Sequence, residues 1–449
     1  MGLSIFKKTF LEKYKYFKSE ELRAQLLRGG IGSSFIQVAN RIFGLFLGLV
    51  LARNLGPEGY GVYTYALAIM MMLMVVAEAG VPTLLVREIA AAYSQGEYGL
   101  IRGVLIRGAQ LVAFIAIIIT LTGIMLLWWG ADNLNADVYY TTLLMLFVLP
   151  IIALITTFTR ALRGLNRVVI GQAIEILLRP FLLLLIIASI FVALPTLHQP
   201  QYVMAAELFV ALLGLVISLF VLNRLIPKEM RNIQTQYRSR QWLKSALPFT
   251  LIGGAGVIHN QTDIIMLGWL GSAEDVGIYR VAILGSSLVV FGLQIANIVL
   301  APHFATLYSQ GNFIKLQRLL TVSARVILSI AIPIGLILLL TGEDLIVWIF
   351  GIEFLASYTP LVILVVGQII KISFGPAATL IYMSGLEKES VRLLWQAALI
   401  NILLNAVLIP KYGLSGAATA SALSMIIWEG SLFLKAYKRL GLNSTAFAR

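Results

Sequence analysis

The chain has no cysteine, and its 449 residues include only three histidines, His198, His259 and His303. Disulfides, thiolate catalysis and cysteine-based metal sites are therefore excluded, and the histidines are too scattered in sequence to suggest a metal cluster. Charge is scarce as well. Only 12% of residues are Asp, Glu, Lys or Arg, against about 25% in an ordinary soluble domain. A nucleotide-binding loop is also missing: the turns Gly56-Pro57-Glu58-Gly59-Tyr60-Gly61 and Gly271-Ser272-Ala273-Glu274-Asp275-Val276-Gly277 are not followed by Lys-Ser/Thr. Their composition reads as tight-turn chemistry.

What is abundant is apolar. The chain is 59% hydrophobic with a mean hydropathy of +0.90. Twelve runs, the first over 30–53 and the last over 414–435, approach or exceed the roughly 20 residues needed to span a bilayer as a helix. The links between them are short, so no segment is expected to fold as a separate soluble domain.

The sequence also repeats itself. Leu51-Ala52-Arg53-Asn54-Leu55-Gly56-Pro57-Glu58-Gly59-Tyr60-Gly61-Val62-Tyr63 is echoed by Met266-Leu267-Gly268-Trp269-Leu270-Gly271-Ser272-Ala273-Glu274-Asp275-Val276-Gly277-Ile278-Tyr279, and Tyr93-Ser94-Gln95-Gly96 by Tyr308-Ser309-Gln310-Gly311, both about 215 residues on. In a hydrophobic chain such duplication suggests two lobes enclosing a path across the membrane. The expected fold is an all-α polytopic integral membrane protein, with twelve transmembrane helices in two pseudo-symmetric six-helix lobes around a central cavity. Its parts are a cytoplasmic basic amphipathic arm (1–28), an N-lobe (29–224), a cytoplasmic linker (225–243), a C-lobe (244–436) and a cytoplasmic tail (437–449).

Basic residues set the orientation, since positive loops stay cytoplasmic. The N-terminal arm, the even-numbered links and the tail carry 28 of the 34 Lys and Arg residues. The odd links carry Arg53, Arg280 and Lys411, together with acids such as Glu274, Asp275, Glu343 and Asp344. Both termini are thus expected in the cytoplasm. The alternation also explains the net charge of +13 without any nucleic acid. No apolar segment of signal-peptide type precedes the first span, and the arm reads as an amphipathic helix on the membrane surface or as a partly disordered basic segment. Span 2 should break at Ala79-Gly80-Val81-Pro82 and span 8 at Ala301-Pro302, each followed by a bent extension or a turn.

The repeated motif, followed by Ala79-Gly80-Val81-Pro82 and Arg87-Glu88-Ile89-Ala90, resembles the opening of polysaccharide-biosynthesis flippases of the O-antigen type, in the multidrug, oligosaccharidyl-lipid and polysaccharide exporter superfamily. The resemblance implies a transporter and not an enzyme. It would reside in a bacterial or archaeal cytoplasmic membrane and move an undecaprenyl-diphosphate-linked oligosaccharide outward by alternating access, for O-antigen, capsule or exopolysaccharide synthesis. The substrate and the bilayer are its implied partners, with a polysaccharide polymerase or assembly proteins as further candidates. Related lipid II flippases carry two more spans as a rule, which argues against that branch. A multidrug exporter of the same superfamily is the alternative, expected to have an acid-dominated cavity, and a glycan polymerase is disfavoured by the short outer links. No cofactor is expected. Energy would come from an H+ or Na+ gradient, the membrane potential or the substrate gradient.

A diphosphate crossing hydrocarbon needs fixed cations inside a shielded cavity. Three lie deep within spans: Arg41, Arg179 and Lys371. Gln37, Gly44 and Gly48 share a face with Arg41, giving a cavity wall or a close helix contact; a salt bridge to a neighbouring helix is the competing reading. Arg179 lies four residues after Glu175 and can pair with it, and Pro180 is expected to bend the helix there. Lys371 follows Gln368 by three residues, just ahead of a further break point at Phe374-Gly375-Pro376, and should face water, an acid or an anionic substrate.

Asp263 shares a face with His259 and neighbours Asn260, behind Gly253, Gly254 and Gly256, where the helix could bend or unwind. This set, with Glu175, is the candidate for ion coupling, or else Asp263 neutralises Arg41 or Lys371. Glu78, Glu207 and Glu429 are expected near span ends at the surface. Asn401 with Asn405, and Gln294 with Asn297, are expected to form interhelical hydrogen bonds.

Overall fold

The computed structural model describes residues 2–193, 197–230 and 233–447, the side chains of residues 2–31, 133 and 228 excepted. The N-terminal arm has a helical backbone from Gly2, and its expected amphipathic face falls outside the described side chains.

Nine stretches among the described residues are long and apolar enough to cross a bilayer. Two of them are double. Helix α1 (Gly2–Glu78) is divided at Gly56, whose φ of 67° no ordinary helix residue adopts, and α13 (Glu387–Leu440) is divided at Gly413, with φ 53°. Both glycines supply left-handed backbone that an L side chain resists. Helix α8 (Ser239–Leu270), more polar because it carries His259, Asn260, Gln261 and Asp263, completes twelve spans.

The first lobe thus takes spans 1 and 2 from α1, then α3 (Tyr98–Trp129), α4 (Ala136–Gly164), a composite span 5 and α7 (Pro200–Leu225). Span 5 is α5 (Val168–Gln172), a π-helical turn over Ala173–Leu178, and α6 (Arg179–Ala193). Pro180 cannot donate into the preceding turn, and the widened π turn absorbs the lost bond where a bend was expected. The second lobe takes α8, α9 (Ala273–Ser309), α10 (Phe313–Ile349), α11 (Tyr358–Ser373) and the two halves of α13. Lipid-facing surface is plain in the burial pattern: only 17% of the most apolar window of 168–193 is buried.

The breaks expected after spans 2 and 8 diverge. Span 2 ends where Ala79 and Gly80 both take positive φ, and α2 (Val81–Gln95) starts afresh with Pro82 in its first turn. In the second lobe α9 runs through Pro302 to Ser309 without interruption, so the break expected at Ala301-Pro302 does not form. No glycine follows to reverse the chain, and burial of Leu300 and Phe304 on either side offsets the roughly 3 kcal/mol cost of a helix-interior proline. The break at Phe374-Gly375-Pro376 does form: Gly375 has φ 71°, and the short α12 (Ala377–Met383) follows.

The repeated motif joins the lobes. Gly61 of α1 and Gly277 of α9, matching positions of the two repeats, cross backbone to backbone. A Cβ on Gly61 would overlap the Ala273 carbonyl, and one on Gly277 the Pro57 carbonyl. Span 2 also runs along α8, with Tyr65 against Gly268, Val75 against Gly254 and Gly80 against Ala246.

Two segments expected as plain cytoplasmic chain are strapped down. Residues 233–237 of the linker lie on the glycine face of α3: Gln236 donates its N–H to the Gly99 carbonyl at 3.1 Å, and Arg102 Nη1 donates to the Ile233 carbonyl at 3.1 Å. The tail after Gly441 docks on the second lobe. There Gln317 pairs with the Asn443 backbone in both directions, at 2.7 and 2.8 Å, and Ser444 Oγ donates to the Phe374 carbonyl at 2.8 Å.

Candidate functional site in the cleft between the lobes

The cleft starts where helix contact stops. A Cβ on Gly48 would meet the Leu284 side chain at 2.7 Å, so α1 and α9 touch there. One turn earlier nothing lies within 4 Å of a Cβ on Gly44. In the antiparallel register set by Gly48 and Leu284, Gln37 comes level with Gln294, and both are exposed. Gln294 and Asn297 therefore do not form the expected interhelical bonds: Asn297 Oδ1 is buried without a hydrogen-bond partner. Asn401 does, donating to Ser424 Oγ in the other half of α13 at 3.1 Å, whereas Asn405 bonds within its own helix, to the Asn401 carbonyl at 3.0 Å.

Arg41 stands at the edge of this opening. It is half-buried, its Nε has no hydrogen-bond partner, and the neighbouring charge that acts on it is another cation, Arg280 of α9. No carboxylate pairs with it among the described residues. Arg280, read from the sequence as part of an outer link, is instead half-buried two turns into α9 and hydrogen-bonds Tyr60. The signal was present: a basic residue seven positions inside a long helix is within the span, not the loop.

A second opening, of about 270 Å³, separates span 2 from α8. Met70, Met71, Met74, Glu78 and Arg179 line it from the first lobe, and Phe249, Thr250, Gly253 and Gly254 from the second. Glu78 is half-buried, interacting with Thr156 and with the charges of Arg160 and Glu175. Helix α8 stays continuous past Gly253, Gly254 and Gly256, so the expected unwinding does not occur. Gly253 and Gly256 leave open space, and Gly254 admits Val75 at close range.

Arg179 does not pair with Glu175. Its partner is Glu207 on α7, which is fully buried, not at the surface, and also accepts a 3.4 Å hydrogen bond from Tyr63 Oη. Glu175 instead binds Arg160 at 3.1 Å and Arg163 at 2.7 Å, with Thr159 donating at 3.1 Å. The π turn swings Glu175 toward α4, out of i,i+4 reach of Arg179. Held by two cations of α4, Glu175 lies in the first lobe, apart from the Asp263 and His259 of α8 with which it was grouped.

In the second lobe the expected His259–Asn260–Asp263 group separates. Asp263 is buried and accepts from Tyr279 Oη at 2.8 Å, Ser421 Oγ at 2.9 Å and the Ile264 N–H at 3.0 Å. It neutralises neither Arg41 nor Lys371. His259 turns the other way, to the Trp428 ring at 5.9 Å and into range of Lys371. Asn260 is exposed. Shared helical spacing brought the Cβ atoms together, but different neighbours claimed the side chains.

Lys371 sits half-buried between His259 and Glu429 of α13, interacting with both. Glu429 is buried, not at the surface. Around Lys371, His259 Nδ1, Gln368 Oε1, Trp428 Nε1 and Glu429 Oε2 are buried without hydrogen-bond partners, while Gln368 Nε2 makes only a 3.6 Å contact to Met425 sulfur. Such a concentration of unmet polar atoms is rare in a native interior.

The architecture is shared with solved transporters. A multidrug resistance MATE family transporter of the MOP superfamily, in an inward-facing conformation, is 16% identical, with 90% of this chain and 94% of that chain covered at a TM-score of 0.69. The lipid II flippase MurJ in an inward closed conformation is 15% identical, with coverage of 90% and 87% and a TM-score of 0.69. A MOP superfamily transporter from Pyrococcus furiosus, described by a binding pocket of reversed polarity, is 14% identical, with coverage of 93% and 95% and a TM-score of 0.64. No curated protein matches at the level of sequence. The polysaccharide biosynthesis protein family matches residues 26–308, well over half of the chain. A twelve-span, two-lobed membrane protein with a cation-edged cleft, this chain belongs to the polysaccharide biosynthesis protein family.

Proposed function

We propose that the protein flips an undecaprenyl-diphosphate-linked oligosaccharide from the cytoplasmic to the outer leaflet by alternating access, serving surface polysaccharide synthesis and not acting as an enzyme. The observation that carries this reading is Arg41, a half-buried guanidinium with no carboxylate partner among the described residues and with Arg280 in range. Two cations left unneutralised at a cleft are costly unless an anion visits. A diphosphate is such an anion, and arginine binds phosphate through paired donors. Lys371 and Gln368 extend the polar surface on the second lobe, and Gln37 and Arg179 on the first. Family membership and the likeness to the lipid II flippase fold support the substrate class. The protein would sit in the cytoplasmic membrane with both termini inside, alongside polymerase or assembly proteins.

Ion coupling, to H+ or Na+, is assigned to the second lobe at Asp263, without His259, which turns away toward Trp428 and Lys371. Asp263 is a buried carboxylate bonded only to neutral donors, and a bound cation would complete it.

The test is transport in proteoliposomes, following quenching of a fluorescent undecaprenyl-diphosphate sugar. Wild type is expected to move the lipid, and Arg41→Ala and Arg280→Ala each to slow it about tenfold or more, the worth of one charge-assisted hydrogen bond. A second reading, an exporter of organic cations, draws on the methionine-lined opening beside Glu78. Drug efflux insensitive to Arg41→Ala, with no lipid movement in wild type, would replace the flippase reading with that one.

A further inference from the structure

Away from the cleft between α1 and α9, a groove of about 550 Å³ opens on the outer surface between α2, α3 and α8. Its walls are apolar: Leu84 from α2, Val104, Leu111 and Phe114 from α3, Trp242 and Leu243 from α8. Phe114 and Leu243 are 64% and 53% exposed, so the groove faces the bilayer and not the protein interior.

Arg107 stands at its mouth. The guanidinium lies 4.9 Å over the Tyr237 ring and donates to Gln110 Oε1 at 3.2 Å. These contacts fix its place but use only one of its five donors. Among the described residues no acid lines the groove, and Arg238, Arg240 and Lys244 stand exposed on the adjoining turns.

The depth of Arg107 identifies the ligand. The 22 residues from Gly108 to Trp129 carry no charge, and at about 1.5 Å per residue they match a hydrocarbon core of about 30 Å. Trp128 and Trp129 mark the far interface. Arg107 therefore lies at the near boundary of hydrocarbon and head groups, with the apolar groove running from it into the hydrocarbon.

We infer that the groove between α2, α3 and α8 is a binding site for an anionic phospholipid of the cytoplasmic leaflet, its phosphate on Arg107 and an acyl chain along Leu111, Phe114 and Trp242. The apolar wall calls for a hydrocarbon chain and the arginine for an anionic head, both at the depth where such a lipid already resides. A zwitterionic lipid satisfies the wall alone. Because α2 and α3 belong to one lobe and α8 to the other, the bound lipid bridges the lobes. Its affinity then depends on their relative position, and leaflet composition biases that position.

The test is native mass spectrometry of the full-length protein in detergent with phosphatidylglycerol or phosphatidylcholine. Wild type is expected to hold phosphatidylglycerol about tenfold more tightly, as one charge-assisted contact supplies. Arg107→Gln should bring the two lipids to parity, and Leu111→Trp, which fills the groove, should weaken both. Lys315→Gln, removing an exposed cation of the second lobe, should change neither; elution as a monodisperse species confirms folding of each variant. Three results would each overturn the site: an anionic preference that survives Arg107→Gln, its equal loss in Lys315→Gln, and undecaprenyl phosphate displacing phosphatidylglycerol at equal concentration, which would assign the groove to the substrate tail.

Discussion

Tyr63 and Tyr279 occupy the same position in the two repeats, and each donates a hydrogen bond to a buried carboxylate that the other repeat lacks. Tyr63 reaches Glu207 on the last span of the first lobe at 3.4 Å, and Tyr279 reaches Asp263 on the first span of the second lobe at 2.8 Å. Glu207 is neutralised by Arg179. Asp263 has Ser421 and, among the described residues, no cation. Duplication preserved the tyrosine as a socket just inside the Gly61–Gly277 crossing, while the acid it holds changed helix and charge environment. The lobes thus share a frame and differ in chemistry at one height of the bundle.

That difference sets an order of effects for removing each hydroxyl. Tyr279→Phe leaves a buried carboxylate with one fewer donor and no compensating charge, and is expected to cost about 1–3 kcal/mol. Tyr63→Phe removes a longer bond from an acid that keeps its arginine, and should cost less than about 1 kcal/mol. Thermal midpoints of the two variants in detergent give the comparison, and equal losses would contradict the asymmetry.

The Arg179–Glu207 pair should behave as a unit. Arg179→Ala strands a fully buried carboxylate and is expected to destabilise by about 3–5 kcal/mol. Pairing Arg179→Met with Glu207→Leu removes both charges and should recover most of that loss. A double variant as unstable as the single one would show that the two residues act separately.

Helix count, duplication and the breaks at Gly80 and Gly375 were legible in the sequence because they depend on local composition: apolar runs of bilayer length, and glycine where φ must turn positive. Partner choice was not. Spacing placed Glu175 beside Arg179, but the π turn and the packing of α7 gave Arg179 to Glu207, 28 residues away. A signal for Glu207 did exist. It lies on the same stripe as Val203, Val210, Ala211 and Gly214, all buried, and a lone acid on the buried stripe of a transmembrane helix needs a partner within the bundle. For His259 and Asp263 the shared face was real and the shared site was not, since rotamers follow the helices that pack around them. The proline in α9 failed as a breaker for a similar reason: burial of Leu300 and Phe304 is a property of the lobe, invisible in the residues near Pro302.

The crossing of Gly61 with Gly277 should tolerate no side chain. An added methyl group on either would overlap a backbone carbonyl of the opposite lobe, and backbone cannot yield as a flexible side chain can. Gly61→Ala and Gly277→Ala are each expected to part span 2 from α9 at this end, at a cost of about 1–3 kcal/mol. The absence of native cysteine makes the opening easy to read. A cysteine at Val276, a fully buried position, should resist a membrane-impermeant maleimide in the otherwise native chain and react in the Gly61→Ala background; unchanged protection would refute the wedge.

The docked tail should hold the end of the second lobe together. Gln317 makes paired bonds with the Asn443 backbone, Arg325 Nε donates to the Ala446 carbonyl at 3.0 Å, and Leu442 is buried among Leu320, Leu380 and their neighbours. Ser444 closes against the left-handed turn at Gly375, so the tail covers the joint between α11 and α12. Gln317→Ala removes both bonds to the Asn443 backbone, along with one to Thr321 on its own helix, and is expected to cost about 1–3 kcal/mol. Hydrogen exchange should show where that cost falls. Amides of Gly375 to Ser384 should exchange faster in Gln317→Ala, while those around the Gly61–Gly277 crossing keep their wild-type rates. Acceleration spread evenly over both lobes would mean that the tail supports the whole bundle and not this joint.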